Sequence, residues 1–196
     1  HRTKNNMQVI VGLMNLQSKK TGDAPIESIF KEMSDRIYSM SMVHDLLYQS
    51  KNLYEIKLDE YLDGLTRRLF AVYDDPQVNI ALDLRTDPIP VNIQFAIPLG
   101  LVITEILTNA LKYAFVGRKQ GRIKIESRFF EEKGLLLTIT DDGVGIEYSQ
   151  ESQSNKTLGM YIIRSVIEDQ LYGGFKIIRD NGLTYEITLP DLLLGS

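Results

Sequence analysis

The chain contains no cysteine among its 196 residues. This absence excludes disulfide bonds, zinc sites built on thiolates and cysteine nucleophiles, and it fits a reducing compartment. Positive charge is also limited, because 22 lysines and arginines stand against 26 aspartates and glutamates, for a net charge of −4. A nucleic-acid-binding protein more often carries a basic excess, so we do not expect nucleic acid as a partner.

The sequence shows neither a long apolar run nor a secretory signal peptide. No stretch approaches the roughly 20 apolar residues that cross a bilayer, so we expect a cytoplasmic fragment that makes no membrane contact. It starts at His1 instead of a methionine, and we expect a sensing or membrane-tethering region upstream in the full-length protein. The apolar fraction of 43% is ordinary for a globular protein, so a core of useful size can form.

Apolar residues at helical spacing dominate the first 50 residues. Steps of three and four predict a helix over residues 2–20. Gly22 and Pro25 mark its end and a restart, and a second helix follows to about residue 50. Two such helices form an antiparallel hairpin, whose apolar face is completed by a second copy as a homodimeric four-helix bundle. The seam of the second helix consists of Ile26, Phe30, Met33, Ile37, Met40, His44 and Leu47.

The remaining sequence predicts an α+β domain. Pro98 lies inside a helical pattern, so that helix should begin near the proline or bend there. The fold class is therefore an N-terminal helical hairpin, residues 1–56, followed by a two-layer domain, residues 57–196, with helices on one face of a sheet. Residues 148–157 are polar and serine-rich, as in a mobile loop. The predicted helices cover 57–73, 93–114 and 158–171, and the predicted strands cover 78–84, 123–127, 135–140, 175–179 and 185–189.

One segment places several polar side chains along the same side of a predicted helix. In TEILTNALKYAF, residues 104–115, helical spacing brings Glu105 and Asn109 to one face. Lys112 or Tyr113 continues that face. A carboxylate, a carboxamide and a lysine in one line are typical of a ligand site, although polar groups on an exposed helix would show the same spacing.

A second segment, DDGVGI, begins 26 residues after the first one ends. It follows the predicted buried strand LLLTIT and joins Asp141 to a turn with Gly143 and Gly145. Facing the helix described above, an acid-tipped glycine turn would suit a metal-bound nucleotide, since Mg²⁺ prefers oxygen ligands. Alone, the two glycines fit an ordinary hairpin turn equally well.

These motifs, in this order, resemble a known family. TEILTNALKYAF resembles the N box, DDGVGI the first glycine box and TLGM a shortened second glycine box of the ATP-binding domain of histidine kinases, Hsp90, gyrase-type topoisomerases and mismatch-repair ATPases. HRTKNNMQVIVGLMNLQ is similar to the phosphoacceptor helix of sensor histidine kinases related to the HWE kinases, and MSMVHDLLYQS also resembles that subfamily. Three ordered motifs on a fitting scaffold are far more specific than one glycine motif.

The resemblance implies that ATP binds between the N-box helix and the following loop. Asp141 would accept a hydrogen bond from the adenine amino group, and Gly143 and Gly145 would let the backbone approach the base. Gly159, followed by Met160, would open the helix after the loop, where backbone amides suit anionic oxygens.

For the phosphate end, the resemblance implies a magnesium site on the N box. Asn109 would offer a neutral oxygen to Mg²⁺, and Glu105 would hold the metal shell or a water. Lys112 and Tyr113 would meet the phosphates. The metal would neutralise charge as the γ-phosphoryl group leaves.

The acceptor implied by the resemblance is His1, whose neutral imidazole is a competent nucleophile near pH 7. Many histidine kinases carry an acid directly after that histidine, but here Arg2 follows, which leaves the general base unassigned. The phosphoryl group would pass to an aspartate of a response-regulator receiver domain docked on the hairpin. Two alternatives stay open: a degenerate kinase that acts as a nonenzymatic scaffold, and another ATPase of this fold.

Overall fold

The computed structural model describes residues 2–21, 24–48, 56–73, 76–131, 134–145 and 158–190. Its helices are α1 (Arg2–Thr21), α2 (Ala24–Tyr48), α3 (Leu58–Tyr73), α4 (Ile93–Asn109) and α5 (Leu158–Arg164). Two π-helical turns, Ala110–Ala114 and Ser165–Gln170, continue α4 and α5. The strands are β1 (Ile56–Lys57), β2 (Asn79–Thr86), β3 (Pro90–Val91), β4 (Gln120–Phe130), β5 (Gly134–Asp141), β6 (Gly174–Arg179) and β7 (Leu183–Leu189).

The hairpin of α1 and α2 forms as the apolar spacing predicts. The two helices pack against each other, and the second half of α2 also packs on α3 and α4, where Val43 and Leu47 are buried. Toward the loop end of the hairpin, large apolar side chains stay on the surface of the single chain. The exposed set comprises Val9, Ile10, Leu13, Leu16, Ile26, Ile29 and Met33.

A five-stranded sheet in the order β2-β4-β5-β7-β6 forms one layer of the second region. β2 and β4 are parallel, and the other neighbouring pairs are antiparallel. Alternate residues of β4 and β5, such as Ile125 and Ile139, are buried because one face of the sheet is covered. Residues of α3, α4 and α5 share that core with the sheet. This arrangement confirms the predicted α+β class, a helical hairpin followed by a two-layer α/β sandwich.

A second, minimal sheet was not predicted. Ile56 pairs with Val91 and Lys57 with Pro90, which joins β1 to β3. The sequence places Lys57 at the start of a helix and Pro90 in an irregular link, and both assignments are wrong. A strand of two residues is too short to show a periodic pattern in the sequence. A proline also argues against a strand, because it cannot donate a backbone hydrogen bond and is tolerated mainly at sheet edges.

The helix that carries the N box begins at Ile93, as in the predicted range 93–114, and not near Pro98. Asn92 caps α4, since its side-chain oxygen accepts a hydrogen bond from the Gln94 amide at 2.9 Å. Pro98 therefore lies inside α4, and only the carbonyl one turn earlier, that of the exposed Gln94, loses its helical donor.

The same helix corrects the expectation about apolar runs. Ile93–Ala114 is long and apolar enough to cross a membrane by length and composition. However, 67% of its most apolar window is buried inside the protein, as for the core helix of a globular domain.

A contact between α3 and α4 fixes these two helices to each other. The buried Tyr61 hydroxyl donates a hydrogen bond to the Ala96 carbonyl at 3.1 Å. It lies directly over Gly100, where any side chain would collide with the phenol. Gly100 thus permits the close approach of the helices.

Candidate active site

Glu105 of α4 is almost fully buried, with 7% of its surface exposed. Its carboxylate meets Arg36 of α2 in a bidentate ion pair, with Nη2–Oε1 and Nε–Oε2 distances of 3.1 and 3.2 Å. A buried carboxylate needs such a partner, because an unpaired charge in the interior is expensive. The N-box glutamate is therefore tied to the helical hairpin.

Lys112 lies in the π turn after α4 and also contacts the hairpin. Its Nζ is 2.6 Å from an Asp35 carboxylate oxygen and 4.9 Å from the centre of the Tyr73 ring. Burial disfavours the charged amine, but the hydrogen bond and charge of Asp35 outweigh it, so the pKa of Lys112 is raised. The lysine is cationic at any physiological pH.

Asn109 and Tyr113 complete the polar face predicted for this helix. Both line a small cavity that also includes Glu105 and Lys112. The π turn begins directly after Asn109 and carries Tyr113, whose side chain is 60% exposed. The four predicted N-box residues thus lie around one space of about 30 Å³.

Asp141 ends β5 and is 5% exposed. Its Oδ1 accepts a hydrogen bond from the Gly143 amide at 3.0 Å. Desolvation is the main influence on this carboxyl and raises its pKa, against the opposing effect of backbone hydrogen bonds from Gly143 and Leu183. A buried acceptor at a strand end is thereby held in a fixed orientation.

The glycine turn after Asp141 contacts the end of the N-box helix. The Val144 amide donates a hydrogen bond to the Ala114 carbonyl at 2.8 Å. A Cβ at position 143 would collide with the backbone and side chain of Ala114, so only glycine fits there. At Gly145 the backbone φ is 68°, in the left-handed region that favours glycine.

Tyr185 of β7 relates the two motifs to each other. It is 5% exposed, and burial, followed by the negative charge of Asp141, raises its pKa to about 12. The charge of Glu105 acts in the same direction. The acid at the strand end and the acid on the N-box helix are therefore within electrostatic reach of one buried phenol.

The second glycine box contacts the N box directly. Gly159, near the start of α5, faces the Glu105 carboxylate so closely that a Cβ would overlap Oε1, and it would lie 3.4 Å from Arg36 Nη2. Met160 beside it is 8% exposed and belongs to the core. The three motifs thus converge around the end of α4.

Comparison with known proteins agrees with this arrangement. A family model described as "Histidine kinase" matches residues 1–73, and one described as "Histidine kinase-, DNA gyrase B-, and HSP90-like ATPase" matches residues 95–193, half of the chain. The chain belongs to the histidine kinases. The resemblance derived from the sequence is thereby confirmed, and the chain carries sensor histidine kinase domains of the two-component type.

Two curated relatives align with most of this kinase chain. Sensor histidine kinase PdtaS of Mycobacterium tuberculosis is 29% identical over 196 residues, 97% of this chain and 38% of the relative. Blue-light-activated histidine kinase 2 of Erythrobacter litoralis is 28% identical over 176 residues, 86% of this chain and 49% of the relative. The chain therefore spans less than half the length of these relatives.

Solved structures share its fold. The histidine kinase domain of the Erythrobacter litoralis EL346 blue-light-activated histidine kinase superposes with a TM-score of 0.71 and 24% identity, over 96% of this chain and 91% of that one. The mycobacterial sensor histidine kinase MprB has a TM-score of 0.56 and 19% identity, over 71% of this chain and 97% of that one.

The donors around the small cavity fit a magnesium ion. Asn109 supplies a carboxamide oxygen, and the buried Thr108 hydroxyl beside it has no hydrogen-bond partner within the described ranges. Mg²⁺ needs few protein ligands, because it keeps several of its waters. No group of three histidine, aspartate or glutamate side chains that could hold a metal occurs in the described part of the kinase.

The sequence analysis did not predict three residues of this site, and one residue that it did predict lies outside the described part of the chain. Asp35, Arg36 and Tyr185 contribute to the site although none belongs to a motif. In the sequence, Asp35 and Arg36 are two charged residues within the predicted second helix and Tyr185 begins a predicted strand, so no pattern marks them as site residues. His1, the predicted acceptor, lies outside the described residues, as does the predicted loop 148–157.

Proposed function

We propose that this chain is the catalytic core of a sensor histidine kinase, which uses ATP and Mg²⁺ to phosphorylate His1 and then passes the phosphoryl group to a response regulator. The observation that carries the proposal is the convergence of Glu105, Asp141 and Gly159 around the end of α4, with Tyr185 affected by both acids. Isolated polar residues on an exposed helix would not converge with a distant strand end.

The adenine end is assigned to the turn after β5. The Asp141 carboxylate is held by Gly143 and can accept the adenine amino group with its remaining lone pairs. Guanine carries a carbonyl oxygen at that position, so the same acceptor would repel it. Gly145, with no side chain, lets the backbone lie against the base.

The phosphate end is assigned to the N box. Asn109 would hold Mg²⁺, which neutralises charge on the β- and γ-phosphate oxygens when it is bound. Glu105 would orient the metal shell or a water, while Lys112 and Tyr113 would contact the phosphates. Gly159 and Met160 would offer the backbone amides of α5 to anionic oxygens.

The acceptor step is assigned to His1. A neutral imidazole nitrogen attacks the γ-phosphorus, an N–P bond forms and the bond to the ADP oxygen breaks. The phosphoryl group then moves to an aspartate carboxylate of a receiver domain docked on the hairpin. We place the hairpin at residues 1–56 and the ATP-binding domain at 57–196; β1 lies across this boundary and pairs with β3 of the second region. The exposed apolar face of the hairpin supports a homodimer, and we place the reaction in the cytoplasm.

Radioactive labelling of the purified protein tests this function. Incubation with γ-labelled ATP should give magnesium-dependent label that survives base and is lost in acid, as expected for phosphohistidine. His1→Ala should bind ATP but lose the label. The chain has only two histidines, so His44→Gln is the matched control and should keep it. Folded protein that binds ATP and never takes up label would favour the nonenzymatic scaffold instead.

A further inference from the structure

Four charged residues form two crossed ion pairs between the hairpin and the N box. Arg36 of α2 pairs with Glu105, and its neighbour Asp35 pairs with Lys112. Each side contributes one acid and one base. The acid of α2, Asp35, contacts the base of the N box, and the acid of the N box contacts the base of α2, Arg36. Glu105 and Lys112 are also the N-box groups assigned above to the metal shell and the phosphates.

We propose that Asp35 and Arg36 are an internal occupant of the nucleotide site, which ATP must displace. The Asp35 carboxylate takes the position of a phosphate against Lys112, and the Arg36 guanidinium takes the position of a cation against Glu105. This inference rests on the proposed ATP site. It assigns to α2 a regulatory contact in addition to its place in the hairpin.

The space available supports this competition. The cavity between Asp35, Arg36 and the N box has a volume of about 30 Å³, far below the roughly 300–1,000 Å³ of pockets that hold small-molecule ligands. The Arg36 and Glu105 side chains are only 13% and 9% exposed, so little solvent lies between them. Gly159 also lies against the same carboxylate, where a Cβ would overlap Oε1.

Charge supports the same conclusion. Lys112 cannot give its full attraction to a phosphate while the Asp35 carboxylate lies 2.6 Å from its amine. Glu105 likewise accepts from Arg36 with both of its oxygens, so the bidentate pair reduces the charge and the freedom that the carboxylate can give to a metal shell. A movement of α2 that separates the crossed ion pairs would free both N-box groups at once. The apparent affinity for ATP is then lowered by the fraction of molecules in which the pairs are closed.

Binding measurements on α2 variants test the proposal. MgATP affinity is measured by equilibrium dialysis for the wild type, Asp35→Asn and Arg36→Gln. We expect each variant to bind about threefold to tenfold more tightly, the shift produced by removing one modest ion pair from the closed state. The exposed pair of Asp63 and Arg67 on α3, at 2.8 Å, provides the control, and Asp63→Asn should leave the affinity unchanged. Weaker or unaltered binding by Asp35→Asn overturns the proposal.

A cross-linking measurement does not depend on any variant, in case Arg36→Gln fails to fold with Glu105 left unpaired. A carbodiimide joins a carboxylate to an amine without a spacer, so it should couple Asp35 to Lys112, and mass spectrometry of peptides locates the link. MgATP should reduce its yield at least threefold if it opens the pair. A yield that MgATP leaves unchanged, in protein shown by dialysis to bind MgATP, overturns the proposal alone. Wild-type protein that binds no MgATP overturns the proposed function and the competition with it.

Discussion

Replacing Asp141 with asparagine should weaken ATP binding and at the same time stabilise the fold. The change keeps the shape of the side chain, and the asparagine Oδ1 can still accept the Gly143 amide now bound at 3.0 Å. It removes the negative charge from a group that is 5% exposed. The nucleotide loses its charged acceptor, whereas the protein loses a buried charge.

The affinity should fall by one charge-assisted hydrogen bond. Such bonds contribute about 1.5–3 kcal/mol, which corresponds to a loss of roughly 10- to 150-fold in ATP binding. Stability should move the other way, since burial raises the pKa of Asp141 in the folded protein. Between the unfolded pKa, about 4, and the higher folded value, the folded state holds a proton that the unfolded chain has released. The contribution of Asp141 to the free energy of unfolding therefore decreases as pH rises through this window, by about 1.4 kcal/mol per pH unit at most.

Two measurements examine these effects together. Titration calorimetry with MgATP gives the affinity, and urea unfolding between pH 4 and 7 gives the stability. Asp141→Asn should bind ATP more weakly, and its stability relative to the wild type should increase as pH rises from 4 to 7, because the wild type alone carries the unfavourable contribution of Asp141. Asp142→Asn is the control, because Asp142 is exposed and its Oδ1 accepts the Arg122 amide at 2.7 Å, a bond that asparagine keeps. Equal ATP affinity in both variants would refute the adenine assignment, and parallel pH profiles of wild type and Asp141→Asn would refute the stability argument.

Two further predictions concern packing and assembly. Gly143→Ala forces a Cβ into the backbone at Ala114 and should lower the free energy of unfolding in urea by about 1–3 kcal/mol. Gly12→Ala is the control, because the space around Gly12 in α1 is open, and it should raise the free energy of unfolding by about 0.5–1 kcal/mol. Equal effects of the two changes would contradict the tight contact at Ala114. Leu13→Ser, at a side chain that is 57% exposed, should shift the protein from dimer to monomer in analytical ultracentrifugation without loss of ATP binding, and an unchanged dimer would place the interface elsewhere.

Periodic sequence made the main elements predictable. Alternation around Ile139 and helical spacing around Leu65 each involve several residues, so the pattern indicates both the element and its buried face. The fold class and the order of elements followed from these patterns. The pairing of β1 with β3 was missed because each strand has two residues.

The site was predictable where a motif reports it and not where it depends on contacts between regions. Glu105 and Asn109 lie on one helix, so spacing alone placed them together. Asp35 and Arg36 join the site only because α2 packs across α4, which is a tertiary fact. The π turn after Asn109 was also hidden, since an extra residue in a helical turn leaves the composition unchanged.

The glycine beneath the Tyr61 phenol has a consequence for how motion reaches the site. Tyr61 is hydrogen-bonded to Ala96, and no side chain at Gly100 separates the helices, so α3 and α4 are held in close contact. A rotation of the hairpin cannot be absorbed by sliding between those two helices. Such a rotation would instead change the contacts between α2 and this pair of helices, among them the ion pairs at Glu105 and Lys112.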